Sequence, residues 1–310
     1  MQDRGPSGYD PQRRLSLKEV LAVDFGGTKT TIAAVDEAGH IRQKQKLAAA
    51  ADFEGSIDQV RNWLAGESAR PAAAGIIVPG IVQPAAGSAW APNLWGQEFH
   101  PLRAVFQERL DLPIALGNDR TGSVLGEQWL GVARGLRHVV FVAVGTGIGV
   151  GIVADGRPVE GAHGIAGAAG WMVVGGPWKP EYAACGGWET EAAGPGLARR
   201  AGMESAEAVA AAARAGNSGA IDALNQTADY LAAGIAGLIA LLDPEMVVLG
   251  GGVMQASDLV LERIRRQALC WTQPVAARQV RIEKTALGED AGLVGAARLG
   301  WLLERERQGG

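Results

Sequence analysis

The stretch Val23-Asp24-Phe25-Gly26-Gly27-Thr28-Lys29-Thr30-Thr31-Ile32-Ala33-Ala34-Val35 is an apolar run, a glycine–threonine turn and a second apolar run, closed by the turn Asp36–Gly39. Val142-Ala143-Val144-Gly145-Thr146-Gly147-Ile148-Gly149-Val150-Gly151-Ile152-Val153 repeats it in kind and closes on Asp155-Gly156. Short apolar runs joined by glycine turns read as antiparallel hairpins. Two such hairpins make the chain a structural duplication whose second half starts near residue 118. Outward from the first, Val20–Phe25, Thr30–Val35 and Ile41–Leu47 read as a meander. Ile57–Ala65 has helical spacing at Ile57, Val60, Trp63 and Leu64. Ala74–Val78 and Pro113–Leu116 are short buried strands, and Pro101–Leu110 and Thr121–Leu130 are helices. Outward from the second, His138–Val144 and Ile148–Ala154 are strands, and Ala206–Ala215, Ile221–Leu242 and Asp258–Leu269 are helices. Met246–Leu249 is a strand ending at Gly250-Gly251-Gly252. The small residues of Gly288–Ala297 allow the final helix, Ala291–Leu303, to pack closely.

Composition agrees with a two-domain globular protein, since single cores stop growing at about 250–300 residues and this chain has 310. Apolar residues make up 47% and charged residues 20%. The 45 glycines are roughly twice the usual share of ~7% and show no Gly-X-Y period. A net charge of −4 argues against a nucleic-acid partner. The longest apolar stretch, Leu231–Leu242, is too short for a bilayer, which needs ~20 residues. Residues 1–18 read as a flexible lead without a signal-peptide core. Two cysteines in so long a chain favour a reducing cytoplasm.

Familiar nucleotide and hydrolase motifs fail. Val150 stands where G-x-G-x-x-G needs its third glycine, no Walker-type lysine is present, and no G-x-S-x-G elbow occurs. The four histidines have no ligand-like spacing. What remains is phosphate chemistry at the hairpin tips. Gly26 and Gly27 let backbone N–H groups approach phosphate oxygens, Thr28 adds a hydroxyl and Lys29 a point charge. Asp24 suits a Mg²⁺ held through water. Gly145, Thr146 and Gly147 offer the same chemistry from the other half, so that two tips can clamp a polyphosphate. Asn118-Asp119 opens a helix, and Asp119 reads either as its N-cap or as a general base. Gly251 and Gly252 read either as a tight turn or as backbone bare enough for a purine.

Taken in order, these motifs resemble the ROK sugar kinases, within the superfamily of actin, Hsp70 and hexokinase. The likeness runs from about Val20 to Ala297. Asp24–Thr30 and Gly145–Gly149 match the two phosphate motifs, and Asp243-Pro244-Glu245 with Val247–Gly252 match the adenosine motif. Pro79-Gly80, Ala91-Pro92-Asn93-Leu94, Asn118-Asp119 and Gly126-Glu127 match the sugar-side elements, and Gly288–Ala297 the closing helix. The resemblance implies an α/β fold of two ribonuclease-H-like, actin-like ATPase domains flanking a cleft: 19–117 with the C-terminal helix 290–305, and 118–289. It implies ATP as donor with Mg²⁺, Asp119 as catalytic base, and Asn118, Gly80 and Asn93 at the acceptor site. A homodimer is expected on the same ground.

The chain departs from the family's acceptor pattern. Ala166-Gly167-Ala168-Ala169-Gly170-Trp171 stands where the family has A-G-E-x-G-H, so a sugar-binding glutamate is Ala168 and a histidine is Trp171. The family's cysteine cluster is reduced to Cys185-Gly186-Gly187-Trp188-Glu189. No structural zinc is expected, because one cysteine cannot hold it. Glu189 is placed on the cluster's last glutamate. Loss of two hydroxyl partners changes what the site discriminates, so the expected acceptor is a sugar modified on that edge or a cyclitol, with Trp171 stacking on the ring. Trp90, Trp95, Trp178 and Trp188 read as core residues or as further stacking partners. A sensor that binds sugar without catalysis, or a kinase using polyphosphate, are the other readings. Polyphosphate would want a basic groove, and no lysine or arginine cluster is evident near the hairpins.

Overall fold

The computed structural model describes residues 18–67 and 70–309; the N-terminal lead lies outside them except for Lys18. The first half contains β1 (Glu19–Phe25), β2 (Lys29–Asp36), β3 (Ile41–Ala48), α1 (Phe53–Ala65), β4 (Ala74–Val78), β5 (Ile81–Gln83), β6 (Ser88–Trp90), α2 (Pro92–Trp95), β7 (Phe99–His100), α3 (Leu102–Leu110), β8 (Ile114–Asn118) and α4 (Asp119–Trp129). The second half contains β9 (Val139–Val144), β10 (Ile148–Ala154), β11 (Arg157–Pro158), α5 (Tyr182–Cys185), α6 (Gly187–Ala192), α7 (Gly194–Ala201), α8 (Ala206–Arg214), α9 (Ser218–Leu242), β12 (Met246–Gly250), α10 (Ser257–Trp271), α11 (Pro274–Ala277), β13 (Arg281–Lys284) and α12 (Ala291–Gly309).

The duplication is visible in the sheets. One has the order β3-β2-β1-β4-β8 and the other β11-β10-β9-β12-β13. In each, the first two pairings are antiparallel and the last two parallel. The central strands are apolar on both faces because helices cover both sides. Edge strand β3 carries Arg42, Lys44 and Lys46 on a largely exposed run, which discourages pairing with another chain. An extra three-stranded sheet, β5-β6-β7, is inserted after β4 and hangs over the cleft beside the first half.

Each half lends its last helix to the other. Helix α4 follows the first sheet but packs on β9 and β10, whereas α12 follows the second sheet and packs on β1, β4 and β8. The two helices cross at glycines. A Cβ on Gly295 would lie 1.7 Å from the Gly122 carbonyl oxygen, and one on Gly126 2.2 Å from that of Ala291. The small-residue start of the final helix therefore serves close packing. Beside the crossing, the buried Glu127 carboxylate accepts the N–H groups of Val132 (2.8 Å) and Leu287 (2.9 Å) and the Thr285 hydroxyl. Gly126-Glu127, matched to the sugar-side elements in sequence, thus sits where α4 meets the start of α12 and the segment leading into it. Among the described residues, no helix is long and apolar enough to cross a membrane.

Candidate active site

Strand β1 carries Asp24 one residue before its end, and β8 of the same sheet ends at Asn118, with Asp119 opening α4. Asn118 is the N-cap of α4: its Oδ1 accepts the Thr121 N–H at 2.8 Å. The capping role that the sequence left open for Asp119 thus falls one residue earlier. The Asn118 NH₂ is left outside this cap, and Asp119 stands at the first helical position. Its Oδ1 accepts the Arg120 N–H at 2.9 Å. Burial at the cleft floor pushes the Asp119 carboxyl above its ordinary value, while the Arg120 charge and this hydrogen bond pull it back. Asp24 is pushed up to about 6, first by burial, then by the negative charge of Asp119, with Lys29 opposing and Asp290 adding to it. The two carboxylates therefore feel one another across the cleft. A crowded, half-desolvated carboxylate is the donor chemistry that suits a Mg²⁺ keeping most of its waters, so Asp24 fits the ion the family implies.

The glycines of the two tips have distinct duties. Gly26 closes its turn with an N–H to the Lys29 carbonyl at 2.9 Å, and the space beside the Gly27 Cα is open. In the second hairpin Gly145 donates its N–H to the Gly147 carbonyl at 2.9 Å. Gly251 has φ +88° and abuts the Val144 backbone, so it makes the tight turn, while Gly252 is open. Gly145, Thr146 and Gly252 line a cavity of about 430 Å³. The sequence missed the rest of its wall: Gly194, Pro195, Glu204 and Glu207 come from α7, α8 and the turn between them. Only the Ser205 N-cap of α8 marks that region in sequence.

The first tip is more basic than expected. Lys44 and Lys46 of β3 lie beside Lys29, a cluster that β2–β3 pairing creates and that separate reading of the segments hides. Glu289 takes Lys29 at 3.3 Å and Lys46 at 3.4 Å, and Asp290 takes Lys44. Each of the three lysines is thus paired, on two carboxylates.

On the acceptor side, Gly80 has φ +113° and packs its Cα on the Trp90 carbonyl. Its own carbonyl accepts Arg120 Nη2 at 3.2 Å. Gly80, Trp90, Arg120, Ala168 and Trp171 line one cavity of about 770 Å³ that Leu238, Leu241 and Leu242 of α9 complete. Asn93 is exposed on α2 and is not among its lining residues. Glu189, on α6, accepts the Ile148 N–H at 2.7 Å and fills the space against Gly147 and Gly170. It thereby bridges the second phosphate tip and the Ala166–Trp171 segment. Trp95 and Trp188 are core residues, hydrogen-bonded to the Ser56 hydroxyl and the Tyr230 carbonyl; Trp90 and Trp171 face the cavity.

In the reduced cysteine region, Cys185 lies 3.3 Å from the Thr190 hydroxyl. No group of three or more His, Cys, Asp or Glu side chains suited to a metal occurs among the described residues. The segment is tied down by Glu191 of α6. Its Oε1 accepts Lys179 Nζ and the Tyr182 hydroxyl, both at 2.7 Å, and its Oε2 accepts Arg200 at 3.0 Å.

A model of the ROK family matches residues 20–301. The glucokinase of Halalkalibacterium halodurans is 30% identical over 325 residues, covering 94% of this chain and 97% of its own. The N-acetylmannosamine kinase of Citrobacter koseri is 33% identical over 294 residues, covering 90% and 97%. The crystal structure of a ROK family glucokinase from Streptomyces griseus in complex with glucose and AMPPNP superposes with a TM-score of 0.75 at 31% identity, covering 92% and 99%.

Proposed function

The chain belongs to the ROK family, and on that premise we propose that it is an ATP-dependent carbohydrate kinase with Asp119 as general base. The observation that carries this is the pairing of Asp119 with Asp24 between two glycine hairpins, each built on the same strand–turn–strand unit. The acceptor hydroxyl oxygen attacks the terminal phosphorus of ATP. A new O–P bond forms, the bond to the bridging oxygen breaks, ADP leaves, and the hydroxyl proton passes to Asp119. Burial raises the carboxyl's affinity for that proton, with the Arg120 charge pulling the other way.

The two tips supply backbone N–H groups, with Thr28, Thr146 and Lys29, to phosphate oxygens. The 430 Å³ cavity takes the adenosine end over bare Gly252. Asp24 would hold Mg²⁺ through water, and the ion when bound neutralises phosphate charge. Closure about the α4–α12 crossing would bring the domains, 19–117 with 290–305 and 118–289, together and exclude water. Asn118 donates its amide to the acceptor, and Gly80, Trp171 and Glu189 border it. Exposed Asn93 reaches it only on closure.

The test is Mg²⁺-dependent ADP release across hexoses, amino sugars, N-acetyl sugars, anhydro sugars and cyclitols. Turnover on one acceptor class is expected; ATP binding with no turnover on any of them would replace the kinase by the sensor reading.

A further inference from the structure

The 770 Å³ cavity lies toward the large end of the range of roughly 300–1,000 Å³ that small-molecule sites occupy. Its polarity is lopsided. At one end stand the Gly80 carbonyl and the Arg120 guanidinium, one residue from Asp119. Arg120 Nε is buried there without a hydrogen-bond partner. The rest of the wall is made by Trp90, Ile165, Trp171, Met172, Leu238 and Leu241, with no further charged side chain. Ile165 is 47% exposed, Trp171 59% and Leu241 80%. They converge from two segments, the loop 165–171 and the end of α9, onto one mouth.

An unsubstituted hexose carries hydroxyls all round its ring. Seated along this wall it would leave several of them desolvated and unpaired, which is strongly unfavourable. At the polar end the same ring finds the Arg120 guanidinium and the Gly80 carbonyl, with Asp119 the residue just before Arg120 in the chain. The two ends call for a molecule that is hydroxylated at one end and apolar at the other.

We infer that the acceptor is a sugar or cyclitol bearing an apolar substituent, an alkyl or aryl group of several carbons, which lies between Trp90, Trp171 and Leu241 while the ring meets Asp119. This rests on the kinase reading and narrows its substrate class. Ala168 belongs to the same design: the residue that stands in place of a hydroxyl-binding glutamate is a methyl group on the apolar wall.

The experiment compares matched acceptors with ATP and Mg²⁺: methyl against hexyl glycosides of glucose and mannose in both anomers, and N-acetyl against N-hexanoyl mannosamine, below micellar concentrations. Product is read by mass spectrometry and kcat/KM is taken for each pair. At least one hexyl-bearing acceptor is expected to exceed its short partner tenfold or more. Leu241→Asn, at the exposed mouth, is expected to draw that ratio toward one without lowering Tm. Ratios at or below one in every pair would overturn the inference.

Calorimetric binding of the same pairs with AMPPNP separates the two levels. Tighter hexyl binding without transfer would sink the kinase reading and keep the cavity assignment; equal binding would sink the assignment. If Leu241→Asn instead splits a dimer in sedimentation and leaves the ratio unchanged, the wall is a face between copies and the inference fails.

Discussion

Replacing Gly295 by alanine perturbs the crossing of α4 and α12 and leaves every side chain in place. The added Cβ would stand 1.7 Å from the Gly122 carbonyl oxygen, 2.4 Å from its carbon and 2.6 Å from the Gly122 Cα, where ordinary contact begins at 3.4 Å. All three atoms are backbone, so no rotamer change relieves the clash and the helices must part by well over an ångström. Overpacking of a well-packed core costs typically ~1–3 kcal/mol, and a backbone-only clash belongs at the upper end, about 3 kcal/mol. With an unfolding entropy of about 2.1 cal/mol/K per residue, that lowers the melting temperature of a 310-residue chain by about 5 °C. Gly309→Ala, on the same helix with nothing within 4 Å, should stay within about 0.5 kcal/mol of the parent. Calorimetric melting of the three proteins decides the matter. A Gly295→Ala melting temperature within a degree of the parent would refute the glycine crossing as the junction of the two halves.

Three further outcomes follow from the site. Native Asp24 holds its proton up to about pH 6, whereas the unfolded chain releases it near 3.8, so its ionisation removes stability as pH rises through that window. Asp24→Asn should therefore raise Tm at pH 7.5 and not at pH 4 while abolishing Mg²⁺-dependent turnover; an equal Tm change at both pH values would remove the buried-carboxylate argument. Glu191→Ala strips the hub from Lys179, Tyr182 and Arg200; with Lys179 46% exposed and free to rehydrate, the loss is about 1.5–3 kcal/mol, the worth of hydrogen bonds to a charged group. A lower Tm with new proteolytic cuts between residues 172 and 187 is expected, and unchanged proteolysis would mean that the segment is held otherwise. Ala168→Glu with Trp171→His restores two hydroxyl partners and should raise kcat/KM on glucose; no gain would place those positions away from the ring.

What the sequence reveals and conceals has a physical pattern. The two hairpins are legible because strand, glycine turn and strand are contiguous, and their repetition shows the duplication that the two sheet orders share. The long helices are legible for the same local reason: α9 carries its apolar period in one segment. Strands β5, β6, β7 and β11 are two or three residues long, too short to display a period of two. Strand β13, Arg281–Lys284, buries only Ile282 and reads as a loop. At the site, Asp24 and Asp119 stand out as acids at strand ends. The capping of α4 by Asn118 depends on where the helix begins, which sequence gives only to within a residue or two. The apolar wall is half legible: Trp90, Ala168 and Trp171 stand out in sequence, whereas Ile165 and Leu241 carry no motif and come from distant segments. Lys44 and Lys46 become neighbours of Lys29 only through pairing of β2 with β3.

The central claim is that Asp119 removes the acceptor's proton in a transfer from ATP. Single-turnover phosphorylation of the best acceptor by the parent and by Asp119→Asn, with ATP affinity measured alongside, tests it most directly. The phosphorylation rate should fall about 10²–10⁴-fold, the usual worth of a general base, with ATP binding retained. Transfer by Asp119→Asn at the parent's rate would contradict it.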